Sequence, residues 1–190
     1  NGYEGPQQFL RDLKLISASL KSNRGFHAGW GNVQRLIRRV ETFGFHLATL
    51  DLRQHAEVHH RVIGQGLDDP DWMVRTPTER HDLLVRAIER DAGYKVELDA
   101  LGKRTLGVFD AILQARHRYG PDAVGYYVVS GTQGASHVLA PLLRARWAEA
   151  YDRKSGEIAV DIAPLFEAGD ALERCGEVMR TLLGDPLYRR

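Results

Sequence analysis

The sequence is poor in groups that staple or anchor a chain. A single cysteine, Cys175, rules out an internal disulfide and any multi-cysteine metal site, which suits a reducing compartment. No apolar run approaches the roughly 20 residues that span a bilayer, and no short apolar stretch follows a basic N-terminus. Charge of one sign is lacking too. The 26 Lys and Arg against 25 Asp and Glu leave a net charge of +1. No global field therefore draws the chain onto nucleic acid or an anionic membrane. Internal repeats, low-complexity segments and linkers between composition regimes are absent. The expectation is a cytoplasmic globular protein without nucleic-acid or membrane partners.

What is present is ordinary: 190 residues, 43% hydrophobic and 27% charged. That length gives one to one and a half domains and buries roughly 70% of the unfolded surface. The chain opens on Asn1 rather than Met and stops at Leu187-Tyr188-Arg189-Arg190 just after a helical pattern. Both ends fit either a trimmed protein or a piece of a longer polypeptide.

Periodicity divides the chain into elements. Phe9, Leu10, Leu13, Ile16 and Leu20 recur at helical spacing after Pro6, and Asn23-Arg24-Gly25 ends that helix. A second helix follows Gly31-Asn32, with Val33, Leu36, Ile37 and Val40 as its stripe and Gly44 closing it. The period then changes, and Phe45 to Leu52 reads as a buried strand running into Arg53-Gln54. Helices are expected over about 55–65, 78–91, 105–119, 135–150 and 169–184, with a loop from Gly64 to Pro77. Two more strands are expected, Val124–Val129 and Ile158–Ile162, the latter running into Ala163-Pro164-Leu165-Phe166-Glu167. Alternating strands and helices imply a helix-rich α/β fold with parallel strands and helical crossovers. About three strands with six to eight helices are too few for a closed barrel, so they read as part of a larger α/β body.

Chemistry in such folds collects at the C-terminal ends of strands. Three such ends carry suggestive residues: Asp51 with Arg53, the run Ser130 to Ser136, and Glu167. A guanidinium at position 53 can hold a phosphate or carboxylate through its fork, or it can brace Asp51. The turn Ser130-Gly131-Thr132-Gln133-Gly134-Ala135-Ser136 can face backbone N–H groups toward an anion, or serve as a plain connection with Ser136 capping the helix. It lacks the Lys-Ser/Thr ending of a Walker loop and the final glycine of a nucleophile elbow. His55 and His59 stand four apart, but no third ligand is marked, and solvated or hydrogen-bonded histidines are favoured. Glu167 follows Leu165-Phe166, which should be buried. Its carboxylate suits a hard divalent cation at a strand mouth, or a helix N-terminal acid beside Asp170.

Several blocks together resemble the phosphoenolpyruvate carboxylase family. They are Phe43-Gly44-Phe45-His46-Leu47-Ala48-Thr49-Leu50-Asp51-Leu52-Arg53-Gln54, Tyr127-Val128-Val129-Ser130, Val138-Leu139 and Pro164-Leu165-Phe166-Glu167. Tyr3 to Leu20 and Val178-Met179 to Tyr188 also fit, so the resemblance runs in order along nearly the whole chain. It implies a fold built on an eight-stranded α/β barrel, of which residues 1–190 are a single segment, about a fifth of the enzyme. It implies an anaplerotic carboxylation of phosphoenolpyruvate by bicarbonate to oxaloacetate and phosphate. Bicarbonate attacks the phosphate to give carboxyphosphate and an enolate; the carboxyphosphate parts into phosphate and CO₂, and the enolate carbon takes the CO₂. The resemblance implies Mg²⁺ or Mn²⁺ as cofactor and a homotetramer. It makes Glu167 a metal-ligand carboxylate and Arg53 a catalytic, substrate-binding arginine, and gives His59 a familiar place without a role.

Three positions depart from the family pattern. His55 stands where an acid is usual, His137 where Asp precedes Val-Leu, and Gly131 where methionine is frequent. The second metal aspartate of a Tyr-Ser-Asp-Ser motif, the catalytic histidine and the mobile glycine- and arginine-rich loop have no counterpart here. The segment alone is therefore expected to be inactive. The rival reading is a complete, non-catalytic α/β module that binds a phosphorylated ligand through the 130–136 turn.

Overall fold

The computed structural model describes residues 2–46, 48–152 and 154–189. Its contacts gather into two compact units.

The smaller unit runs up to Leu50 and includes Ala115–Ala123. Helix α1 (Pro6–Ser22) starts with Pro6 in its first turn, where the missing N–H costs no hydrogen bond. Helix α2 (Trp30–Phe43) returns against it, and Leu10 and Leu13 bury with Ile37 and Val40 while Phe9 and Val33 pack around them. Lys14 pairs with Glu41 at 2.8 Å, and Gln34 Nε2 donates to Ser17 Oγ. Gly44 closes α2 as expected: it takes a φ of 56°, which favours glycine, and its N–H bonds the Val40 carbonyl at 2.9 Å. The expected stripes are wider than the buried ones, because Ile16 and Leu36 stay exposed.

The larger unit holds Asp51–Gln114 and the described residues from Val124 onward. Its sheet is three-stranded and parallel, in the order β1 (Leu50–His55), β2 (Val124–Ser130), β3 (Asp161–Pro164). Strands β2 and β3 pair in the register Tyr126 to Asp161, Tyr127 to Ile162, Val128 to Ala163 and Val129 to Pro164. Around it lie α3 (Ala56–Gly66), α4 (Pro77–Glu89), α5 (Ala100–Tyr119), α6 (Ala135–Trp147) and α7 (Gly169–Gly184). The last residues of α5 group with the smaller unit. The core joins Ile63, Trp72, Leu84, Ala87, Ile88, Leu139, Ala140 and Leu143 from α3, α4, α6 and the loop after α3. Gly64 is required there, since a Cβ would lie 2.7 Å from the Trp72 Cβ.

Helix α7 has the expected limits, and β2 extends one residue beyond them. Two strands begin later than the apolar pattern placed them. The run from Phe45 turns first, with His46 N–H bonding the Phe43 carbonyl, and Phe45 and Leu50 are exposed. Leu47 lies outside the described residues. The extended backbone therefore covers Arg53, Gln54 and His55, and Arg53 sits within β1 rather than after it. In the third strand, Ile158 is diverted into an antiparallel bridge with Tyr151. Asp152 Oδ1 closes the turn between them by accepting from the N–H groups of Lys154 and Ser155, both at 2.7 Å. Pro164 ends β3, and the ladder continues one residue on through Leu165 N–H to the Val129 carbonyl at 2.9 Å. Helix α5 starts five residues early because the Asp99 carboxylate accepts the Gly102 N–H at 2.8 Å.

Candidate functional site

Alternation along β1 puts Asp51, Arg53 and His55 on its exposed face. Asp51 does not take the guanidinium; its Oδ1 accepts the Tyr126 N–H of β2 at 2.8 Å. Arg53 reaches the segment after β3 instead, where Nη2 donates to Glu167 Oε2 at 2.7 Å. Two residues singled out independently in the sequence, 114 positions apart, thus meet. The pair stays open to solvent, with side-chain exposures of 57% and 45%. An exposed pair is worth about 0–1 kcal/mol, so exchanging either partner for another ion costs little.

Glu167 lies in the segment between β3 and α7, beyond the strand proper. Leu165 and Phe166 are half-buried rather than buried. Glu167 directly precedes Ala168, the N-cap of α7, and Asp170 is the acid in the first turn of that helix. Among the described residues no group of three His, Cys, Asp or Glu side chains could hold a metal ion. Glu167 offers hard carboxylate oxygens of the kind Mg²⁺ or Mn²⁺ takes, but as one donor, so this segment fits part of such a site.

The 130–136 turn is more closed than its composition implied. Thr132 is fully buried, with Oγ1 donating to the Val129 carbonyl at 2.7 Å. Ser136 is not the helix cap. The N-cap of α6 is Gly134, and the Ser136 hydroxyl is buried within the first turn without a partner among the described residues. His137 does part of the capping work, with Nδ1 accepting the Gln133 N–H at 3.2 Å.

The histidines divide by burial. His55 is the N-cap of α3, its Nδ1 accepting the Glu57 N–H at 3.3 Å. His59 is fully buried and accepts from Arg144 Nη1 at 2.6 Å. One is a cap and the other a core group, so they do not form a metal pair. Burial, and then the neighbouring Arg144 cation, hold His59 well below its ordinary pKa. His60 accepts from Trp72 Nε1 at 3.1 Å and is pushed down to about 3 by burial. His137 stands edge-on to His60, ring centres 4.8 Å apart, and burial takes it to about 4.

Sequence reasoning missed Arg144. It is a fully buried guanidinium 5.8 Å over the Phe109 ring, which stacks on Tyr127. The available signal was an arginine directly after the apolar run Val138 to Leu143 of α6. The three departures from the family pattern also prove to be neighbours. The His55 ring fills the space beside Gly131, and the Gly131 carbonyl lies 3.3 Å from His137 Nδ1.

Comparison with known proteins gives one answer. The family model described as phosphoenolpyruvate carboxylase matches residues 1–190. A phosphoenolpyruvate carboxylase of Xanthomonas campestris pv. campestris (strain 8004) is 39% identical over 188 residues, 99% of this chain and 21% of that protein. The enzyme of that name from Xanthomonas oryzae pv. oryzae is 40% identical over 189 residues, again 99% of this chain and 21% of the relative. One from Roseiflexus castenholzii is 34% identical over 194 residues, covering 98% and 21%. The chain spans about a fifth of the length of the curated relatives it matches.

Proposed function

Because the chain belongs to the phosphoenolpyruvate carboxylase family, we propose that it supplies one strand-end wall of such an enzyme's active site, with Arg53 and Glu167 as the working residues. In this reading residues 1–190 are a single segment of a larger (β/α)₈ barrel domain. The whole protein carboxylates phosphoenolpyruvate with bicarbonate to oxaloacetate and phosphate, as a cytoplasmic homotetramer. The observation that carries the reading is the Arg53–Glu167 contact, which joins β1 to the segment following β3 of one α/β sheet.

Arg53 binds and orients. Its planar fork matches a phosphate or carboxylate, and a fixed guanidinium stabilises negative charge as it develops on a bound anion. Glu167 would hold Mg²⁺ or Mn²⁺ together with donors from outside this segment. The cation, when bound, supplies positive charge that stabilises enolate and phosphoryl oxygens. Glu167 also accepts one hydrogen bond from Arg53 Nη2, which keeps the two side chains together.

The test is Glu167→Gln in the full-length protein, a change that keeps the side chain's shape and removes its charge. Activity is expected to collapse, with the Mg²⁺ or Mn²⁺ requirement moving upward and the melting temperature held. A metal titration with the parent's midpoint and rate would overturn the assignment.

A further inference from the structure

Beyond Arg53 and Glu167, the end of β1 carries an imidazole that the reading above leaves without work. His55 is the last residue of β1 and lies two positions after Arg53 on the same exposed face, about 6.6 Å further along. Its side chain is about half exposed.

Two neighbours fix the ring. Nδ1 accepts the Glu57 N–H at the start of α3, which ties the imidazole to the helix terminus. On the other side the ring lies against Gly131, the first residue of the turn after β2, so closely that a Cβ there would overlap Nε2. Gly131 has a φ of 67°, a conformation that glycine adopts freely. The missing side chain is therefore what seats the imidazole at the junction of β1 and β2. With Nδ1 used as an acceptor, the neutral ring carries its proton on Nε2, which makes it a donor.

Charges of both signs surround the ring: Glu57 Oε2 lies 4.0 Å from Nδ1, and Arg53 is paired with Glu167. Arg53 lies on the same face, and α6 begins just beyond, at Gly134, with no side-chain oxygen capping its first N–H groups. We infer that His55 is a second substrate-positioning residue, whose imidazole donates to an anionic oxygen of the phosphoenolpyruvate that Arg53 holds. The inference rests on the assignment of Arg53 to substrate binding. Gly131 serves as the seat that keeps the ring in place.

The experiment compares variants of the full-length protein by KM for phosphoenolpyruvate, kcat and melting temperature. His55→Asn keeps an N-cap acceptor for the Glu57 N–H and removes the imidazole. It should raise KM roughly tenfold, the loss expected for one hydrogen bond to a charged group. The kcat should stay within about twofold and the melting temperature should be unchanged. His55→Ser, which also caps, is made beside it, so that poor folding of one variant leaves the other. Gly131→Ala displaces the ring and should raise KM likewise. The double variant Gly131→Ala/His55→Asn should show no further rise, because both changes remove one contact.

Arg53→Lys separates the outcomes. If Arg53→Lys is impaired while both His55 variants keep the parent's KM, His55 is a helix cap and the inference is overturned alone. If Arg53→Lys also keeps the parent's KM and kcat, the reading of the site falls with it.

Discussion

Arg144 brings a permanent positive charge into the packed space between α3 and α6. Among the described residues no carboxylate pairs with it. Its partners are His59, the Tyr127 hydroxyl and the Phe109 face. Its Nε and Nη2 have no partner among the described residues. A buried charge that loses its one good acceptor is costly, whereas replacing both members of the pair with apolar groups often costs nothing. His59→Leu alone is therefore expected to lower stability by about 3–5 kcal/mol, and His59→Leu/Arg144→Met to restore most of it, as read from urea midpoints. The same region predicts acid sensitivity. His59, His60 and His137 are all depressed by burial, so the unfolded chain takes up protons first as pH falls below about 6.5. Their stabilisation is complete above that value. It is lost progressively toward about 4 for His137 and about 3 for His60. Melting temperature should drop steeply between pH 7 and pH 4.5, and less steeply in His137→Asn.

Among the elements, helix α4 owes its start to a capping box. Thr76 Oγ1 accepts the Glu79 N–H, and the Glu79 carboxylate accepts the Thr76 N–H at 2.8 Å. Thr76→Ala should cost about 1 kcal/mol. Gly64→Ala should cost more, about 1–3 kcal/mol, because the added methyl meets Trp72 in the core and not solvent. Thermal melts of the two variants give the order directly. Helices were the legible part of the sequence, since proline, glycine and the 3.6-residue period mark their ends without tertiary information. The start of β2 at Val124 was legible, but those of β1 and β3 were not. The stretch from Phe45 to Leu52 looked like a buried strand, yet Phe45 and Leu50 lie at the surface, and the strand runs from Leu50 through the polar triplet Arg53-Gln54-His55. Exposed strand residues follow from which face the sheet leaves open, and short periodicity carries no such information. Arg53 and Glu167 were both singled out in the sequence, and the structure places the first within β1 and the second in the segment after β3. Their mutual contact was invisible, because nothing in a linear pattern relates positions 114 apart. Arg144 was missed because its burial depends on aromatic partners from α5 and β2.

Taken whole, the chain leaves much apolar surface uncovered: Leu15, Ile16, Phe26, Phe43, Phe45, Leu50 and Val74 are exposed. Strands β1 and β3 each have a neighbour on one side only among the described residues. Open edges and bare apolar faces promote association. The isolated 190-residue chain is therefore expected to bind a hydrophobic dye and to aggregate on concentration. A monodisperse monomer that melts sharply and takes up no dye would count against this. Family identity was legible at this scale because its blocks recur in order from end to end. The Arg53–Glu167 contact also has a consequence in time. A ribosome adds about 5–20 residues per second, so Glu167 follows Arg53 by on the order of ten seconds. Through that interval the arginine is already made and has no carboxylate at its side. The site is among the last features of this segment to be assembled, and a nascent chain halted anywhere between the two residues carries half of it.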